Sequence, residues 1–170
     1  MAELLREFAR TLANSAAHDL AVDWLRNVPG LPPLAQTLHL LGIAVVLGSI
    51  VLLSLRALGW AVPSQAPEEM SRRLAPWTWG ALPVLAVSGL LFVFARPQRY
   101  FSNPIFGLKL ALLVPALALT ALLYRIVRHP TPKRTIARAV ALASLAAWTC
   151  IILAGRWIAY VDYLFPPSEP

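Results

Sequence analysis

The sequence predicts an all-α membrane protein, an up-down four-helix transmembrane bundle with an N-terminal amphipathic interfacial helix. Composition is the first observation behind this fold class. The 170 residues are 58% hydrophobic and 14% charged, whereas soluble domains are about 45–50% apolar and about a quarter charged. The second observation is four apolar stretches, each close to the ~20 residues that a helix needs to cross ~30 Å of hydrocarbon.

These stretches predict the domain organisation. We expect spans at about residues 34–55, 76–95, 105–124 and 139–160, within a transmembrane domain of residues 31–162 that is followed by a short tail at 163–170. Pro83 and Pro115 lie inside the second and third spans, where we expect them to kink the helices.

Residues 1–30 predict one amphipathic helix, which ends at Pro29 and Gly30. Its apolar residues recur at three- and four-residue steps, and charged residues occupy the other faces. The apolar positions are Leu5, Phe8, Leu12, Ala16, Leu20 and Trp24. Acidic residues are interspersed and no cleavage site follows a compact apolar core, so we expect the segment to be retained at the interface rather than removed as a signal peptide.

Basic residues in the connections predict the orientation. The first and third connections are rich in arginine and lysine, whereas the second holds only Arg96 and Arg99 and the tail holds none. The positive-inside rule therefore predicts the first and third connections in the cytoplasm and both termini on the outer side of the membrane.

Three polar residues fall at a similar depth near the predicted outer ends of the spans: His39, Lys109 and Arg156. Residues 70–161 contain eleven Lys and Arg but no Asp or Glu, so the remaining acidic partners are Asp162 or the leader's Asp19 and Asp23. Cations inside a membrane are costly unless paired or hydrated. Lys109 and Arg156 either snorkel to lipid phosphates or line an outward-facing pocket for an anionic or carbonyl-bearing group. The other residues predicted for that pocket are Asn103, Tyr100, Tyr160 and His39.

His39 has two interpretations of its own. It is an interhelical hydrogen-bond donor, or it is an axial ligand of a b-type haem whose propionates meet Lys109 and Arg156. The remaining histidines are His18 in the leader and His129 in the third connection. A second axial ligand would have to be His18 or the His39 of another protomer.

Other classes of function are disfavoured. One cysteine and two methionines exclude a disulfide framework and argue against copper transport. The basic residues that give the net charge of +7 lie between apolar runs rather than on a polar surface, so we expect no nucleic-acid partner. The chain has no paired carboxylates and no nucleotide-binding or hydrolase motif, and we expect no catalytic residues of its own.

Several motifs carry a resemblance to a known group of proteins. They are H-L-L-G at 39–42, L-R-A-L-G at 55–59, A-P-W-T-W-G at 75–80, R-Y-F-S-N-P-I-F-G-L-K-L at 99–110 and A-G-R-W-I-A-Y at 154–160. Over residues 24–161 the chain resembles an uncharacterised family of small four-helix bacterial inner-membrane proteins, and more distantly the copper-resistance-D type of membrane domain. The resemblance implies the fold and a location in the bacterial inner membrane, where the outer side that holds both termini is the periplasmic side, but it implies no activity.

We therefore expect a nonenzymatic membrane subunit, surrounded by lipid and part of a homo-oligomer or larger complex, that binds haem b or another anionic ligand for electron transfer. One alternative is a small oligomeric anion transporter or channel. The other is a structural or assembly subunit that docks through small-residue helix faces.

Overall fold

A computed structural model describes residues 2–129 and 134–160, which are helical apart from short connections. The predicted tail at 163–170 and Asp162 lie outside the described residues. The α-helices of the described ranges are α1 (Ala2–Ala13), α2 (Ala16–Asn27), α3 (Leu31–Leu58), α4 (Pro67–Ala95), α5 (Pro97–Phe101), α6 (Pro104–Val127) and α7 (Arg134–Trp157), and a 3-10 turn follows at Ile158–Tyr160.

The leader is two helices, not the single helix that its apolar spacing predicts. The break falls at Asn14 and Ser15, and the Ser15 hydroxyl accepts a hydrogen bond from the His18 backbone N–H at the start of α2 (3.3 Å). Serine at this position replaces the missing carbonyl partner of a first-turn N–H, which favours a new helix start over continuation of α1.

Four helices, α3, α4, α6 and α7, are long and apolar enough to cross a membrane, with mean hydropathies of 2.5, 1.9, 2.1 and 2.0 over their most apolar windows. The chain therefore has the character of a multi-pass membrane protein. The helices extend past the predicted spans at most ends. α4 begins nine residues early, at Pro67, because its first turns are polar yet helical, with Glu68 bonded to Arg72 (2.7 Å) and Glu69 to Arg73.

Among the long helices, α3 packs against both α4 and α7, and α6 packs against α7. Two apolar clusters fill the centre. One includes Leu53, Leu123 and Ala141, and the other includes Ile50 and Trp148. α4 and α6 continue through Pro83 and Pro115; the kinks expected there stay a prediction.

Side-chain contacts between helices define two ends of the bundle. His39 of α3 contacts Ser88 of α4, and Asn103 at the start of α6 contacts Ile158 after α7. We call the region of the start of α3, the end of α4, the start of α6 and the end of α7 the His39 end. The short helix α5 lies there, between α4 and α6, and α1 packs on it through an edge-to-face contact of Phe8 with Phe101 (5.1 Å). The opposite end is the Arg128 end.

Candidate functional site

His39 is held against α4 by a side-chain hydrogen bond. Its Nδ1 lies 2.9 Å from the Ser88 hydroxyl, and that hydroxyl lies 2.5 Å from the Val84 carbonyl. A hydroxyl has a single hydrogen, and a carbonyl can only accept, so Ser88 donates to Val84 and accepts from the Nδ1–H of His39. The lone pair of the neutral imidazole therefore resides on Nε2.

A glycine makes room for this imidazole. A Cβ at position 89 would lie 3.2 Å from Cε1 of His39, so any larger residue there would have to displace the ring. Ser88 and Gly89 together fix both the rotation and the position of His39.

Lys109 lies on the other side of the His39 end, between α6 and α7. Its ammonium lies 3.5 Å from where a Cβ at Gly155 would be, and the side chain is half-buried. It is near enough to His39 to act on the imidazole electrostatically. Within residues 2–129 and 134–160, Lys109 has no ion-pair or hydrogen-bond partner, and the carboxylates that form ion pairs are Glu68 and Glu69.

Arg156 and Tyr160 pair with each other instead. Arg156 Nη2 donates to the Tyr160 hydroxyl (3.0 Å), and the guanidinium lies over the tyrosine ring, 5.1 Å from its centroid. Both side chains are exposed. The structure therefore places both side chains at the surface, and Arg156 directly follows Gly155, the glycine beside Lys109.

Asn103 and Tyr100 have partners within the fold. Asn103 is buried; its Oδ1 accepts from the Ile105 N–H at the start of α6 (2.9 Å) and its Nδ2 donates to the Ile158 carbonyl (3.3 Å). The Tyr100 ring packs on Phe106 (5.2 Å). Of the six residues predicted for the pocket, His39 and Lys109 both lie at the His39 end, Arg156 contacts Tyr160, and Asn103 ties α6 to the turn after α7.

Sequence reasoning missed Ser88, Gly89 and Gly155 as parts of this site. The available signals were weak: one serine in an apolar span, and glycines that also suit ordinary helix packing. The sequence does not show which helix faces which. This information is needed because a glycine makes space for the residue that lies opposite it on the neighbouring helix.

His18 binds the backbone of α4. Its Nδ1 lies 2.8 Å from the Phe94 carbonyl, near the end of that helix. Since a carbonyl can only accept, His18 donates from Nδ1. The described residues contain no group of three or more His, Cys, Asp or Glu that could hold a metal ion.

The polar residues of the Arg128 end bind one another. Arg128 donates to the Ser71 hydroxyl (2.6 Å) and carbonyl (3.2 Å), the buried hydroxyls of Thr78 and Tyr124 are 2.7 Å apart, and Arg128 lies over the Tyr124 ring. Trp148 donates to Thr120 (2.9 Å) deeper in the bundle. These contacts join helices of the bundle to one another.

Residues 31–161 match a family of unknown function (DUF6644), and the chain belongs to this family. The match confirms the predicted membership of an uncharacterised family. No curated protein and no solved structure matches the chain. The distant resemblance to copper-resistance-D domains stays a prediction.

Proposed function

We propose that this member of the family is a multi-pass inner-membrane subunit that binds an anionic or carbonyl-bearing group at the His39 end and has no catalytic activity of its own. Lys109 is the observation that carries the proposal. It is a half-buried cation inside the helix bundle with no partner among the described residues. A cation of this kind is stabilised by an anion that binds next to it.

The proposal includes an arrangement in the membrane. The long helices alternate in direction, the His39 end faces the periplasm together with both termini, and α1 and α2 lie along that interface. Basic residues concentrated near the opposite end support this orientation. In the leader, Ala9 and Ala21 are buried, whereas Phe8, Leu20 and Trp24 are about half exposed, as expected for a helix pair with lipid on one side.

Haem b is the cofactor that we propose to test first, in an electron-transfer setting. His39 suits an axial ligand because Nδ1 donates to Ser88 and the Nε2 lone pair is available, the usual arrangement for a metal-bound histidine. Lys109 would bind a propionate. Bound haem would supply one-electron chemistry at its iron, while the protein would orient it through Ser88 and Gly89.

A second axial ligand would come from one of two histidines. His18 donates from Nδ1 to the Phe94 carbonyl, so its Nε2 lone pair is available in the same way as that of His39. The alternative is His39 of a second copy, and without either ligand the haem would be five-coordinate. We propose His39 as the ligand common to all three arrangements.

The absorption spectrum of the protein freshly isolated in mild detergent tests the haem. We expect a Soret band that is lost in His39→Ala and kept in the control His129→Ala. No band, even after reconstitution with haem, would refute haem binding. A band that survives His39→Ala would refute the ligand assignment.

The same unpaired Lys109 favours a second candidate, an anion-permeable oligomer with this residue in its pathway. Liposomes that contain the protein should then pass chloride, and Lys109→Ala should reduce the flux more than Arg156→Ala, because Arg156 is paired with Tyr160. Absence of flux in the wild type would end this candidate.

A further inference from the structure

A second concentration of positive charge lies between α1 and α5, away from Lys109. A surface cavity of about 190 Å³ is lined there by Arg6, Ala9, Arg10, Gln98 and Ser102. Arg6 and Arg10 are four residues apart on α1, and Gln98 and Ser102 are four residues apart across α5 and its C-terminal cap, so each pair presents both side chains on one face. Two guanidinium groups, an amide and a hydroxyl therefore surround one space.

The two walls of this cavity are fixed relative to each other. Phe8 meets Phe101 edge-to-face at 5.1 Å, and Phe101 meets Phe106 of α6 in the same way at 5.7 Å. Ala9, between the two arginines, is 1% exposed and allows α1 to approach closely. The arrangement of the polar groups is thus set by packing that does not involve them.

The charges in the cavity are unbalanced. Neither the Arg6 nor the Arg10 side chain has an ion-pair or hydrogen-bond partner in the part of the chain that the structure describes, and the carboxylates of Glu3 and Glu7, on the same helix, do not line the cavity. The cavity is open to solvent and has room for a phosphate group between its two walls.

We propose that this cavity, which we call the α1/α5 site, binds a phosphate group, with Arg6 and Arg10 as the charged donors and Gln98 and Ser102 as neutral donors. Planar guanidinium groups match pairs of phosphate oxygens, and charge-assisted hydrogen bonds of this kind are the strong ones. The phosphate comes either from the headgroup of an anionic phospholipid or from a soluble phosphate. This site is independent of the proposed function at His39 and Lys109.

Lipid retention measured by native mass spectrometry tests the α1/α5 site with phosphatidylglycerol as the probe and phosphatidylcholine as the zwitterionic reference. The variants are the double substitution Arg6→Gln with Arg10→Gln, and the control Arg26→Gln on α2, which removes a positive charge outside the cavity. We expect phosphatidylglycerol retention to fall about tenfold or more in the double variant and to stay at the wild-type level in the control.

Inorganic phosphate, added to lipid-depleted protein, separates the two sources. If phosphate raises the melting temperature of the wild type and of Arg26→Gln but not that of the double variant, the site takes soluble phosphate. If only phosphatidylglycerol shows the selective loss, the source is lipid. Equal binding of both probes by all three proteins would overturn the proposal. The Soret spectrum of the double variant should match that of the wild type, so failure here is distinguishable from failure of the haem proposal.

Discussion

Lys109 and Arg128 lie near opposite ends of α6, and the two cations differ in whether other side chains contact them. Arg128 donates two hydrogen bonds to Ser71 and lies over Tyr124. Lys109 lies beside Gly155, and its ammonium forms no ion pair and no hydrogen bond within the described residues. Arg128 therefore has a structural role that accounts for it, whereas Lys109 requires a further explanation.

The Tyr124 hydroxyl offers a measurement of the polar contacts at the Arg128 end. Tyr124→Phe removes the bond to Thr78 but leaves the Thr78 hydroxyl within reach of the Leu74 carbonyl (3.2 Å). We expect a loss of about 0.6 kcal/mol in unfolding free energy, the average for interhelical hydrogen bonds in a membrane protein, and at most about 1.7 kcal/mol, the largest value. Reversible unfolding in mixed micelles measures it.

Tyr100→Phe is the matched control, because no hydrogen bond of the Tyr100 hydroxyl occurs within the described ranges and the ring contact with Phe106 is kept. Its unfolding free energy should equal that of the wild type. An equal loss in both variants would mean that the Thr78–Tyr124 bond contributes nothing specific.

The residues of the candidate site were predictable from the sequence only in part. The absence of acidic residues from 70–161 singled out Lys109 as a charge in need of a partner, and Lys109 has no ion-pair partner among the described residues. The sequence also grouped Arg156 and Tyr160 with Lys109 and His39, since depth along a helix is readable from residue number. Direction around the helix is not, so the contacts of His39 with Ser88 and of Lys109 with Gly155 were missed.

Among the helices, α3 and α4 approach each other closely at Gly42 of α3, as they do at Gly89 of α4. A Cβ at Gly42 would lie 2.9 Å from Cδ2 of Leu85 and 3.0 Å from its Cγ, whereas a Cβ at Gly48, on the same helix, would meet no other atom within 4 Å. Both glycines suit a small-residue face by spacing, but only Gly42 lies at the contact.

The two positions therefore predict opposite results for the same substitution. Gly42→Ala should lower the unfolding free energy by about 1–3 kcal/mol, because Leu85 must move within a packed interface. Gly48→Ala should leave it unchanged or raise it slightly, because alanine has the higher helix propensity. Melting curves in detergent compare the two, and equal melting temperatures would contradict this α3–α4 contact.

Helix boundaries show what apolar patterns can and cannot predict. The four long helices were found from hydropathy alone, but α4 extends back to Pro67 through turns that contain Glu68 and Arg72. A search for apolar residues stops where polar helical turns begin. The division of the leader at Ser15 was missed for the converse reason: the apolar spacing continues across a break that a side-chain cap produces.

For the whole molecule, the concentration of basic residues near the Arg128 end makes the orientation testable. In a Cys150→Ala background, Ser64→Cys marks the first connection and Gln98→Cys marks the second. We expect a membrane-impermeant maleimide to label Gln98→Cys in intact spheroplasts, and Ser64→Cys only after lysis, because the positive-inside rule keeps the arginine-rich side in the cytoplasm.

Cysteine-free protein gives the background for this labelling. The reverse pattern would invert the proposed topology, and it would also move the His39 end and the α1/α5 site to the cytoplasmic side. Labelling of both positions in intact spheroplasts would contradict a single orientation.

The bond between His18 and the Phe94 carbonyl has a practical consequence for how the protein is prepared. The family match begins at residue 31, and that boundary invites a shortened chain without α1 and α2. Such a chain would lose a hydrogen-bond donor at the last turn of α4 and the packing of α2 against that helix. Expression should therefore retain the first thirty residues, and a purification tag belongs where it does not disturb the N-terminal helix pair.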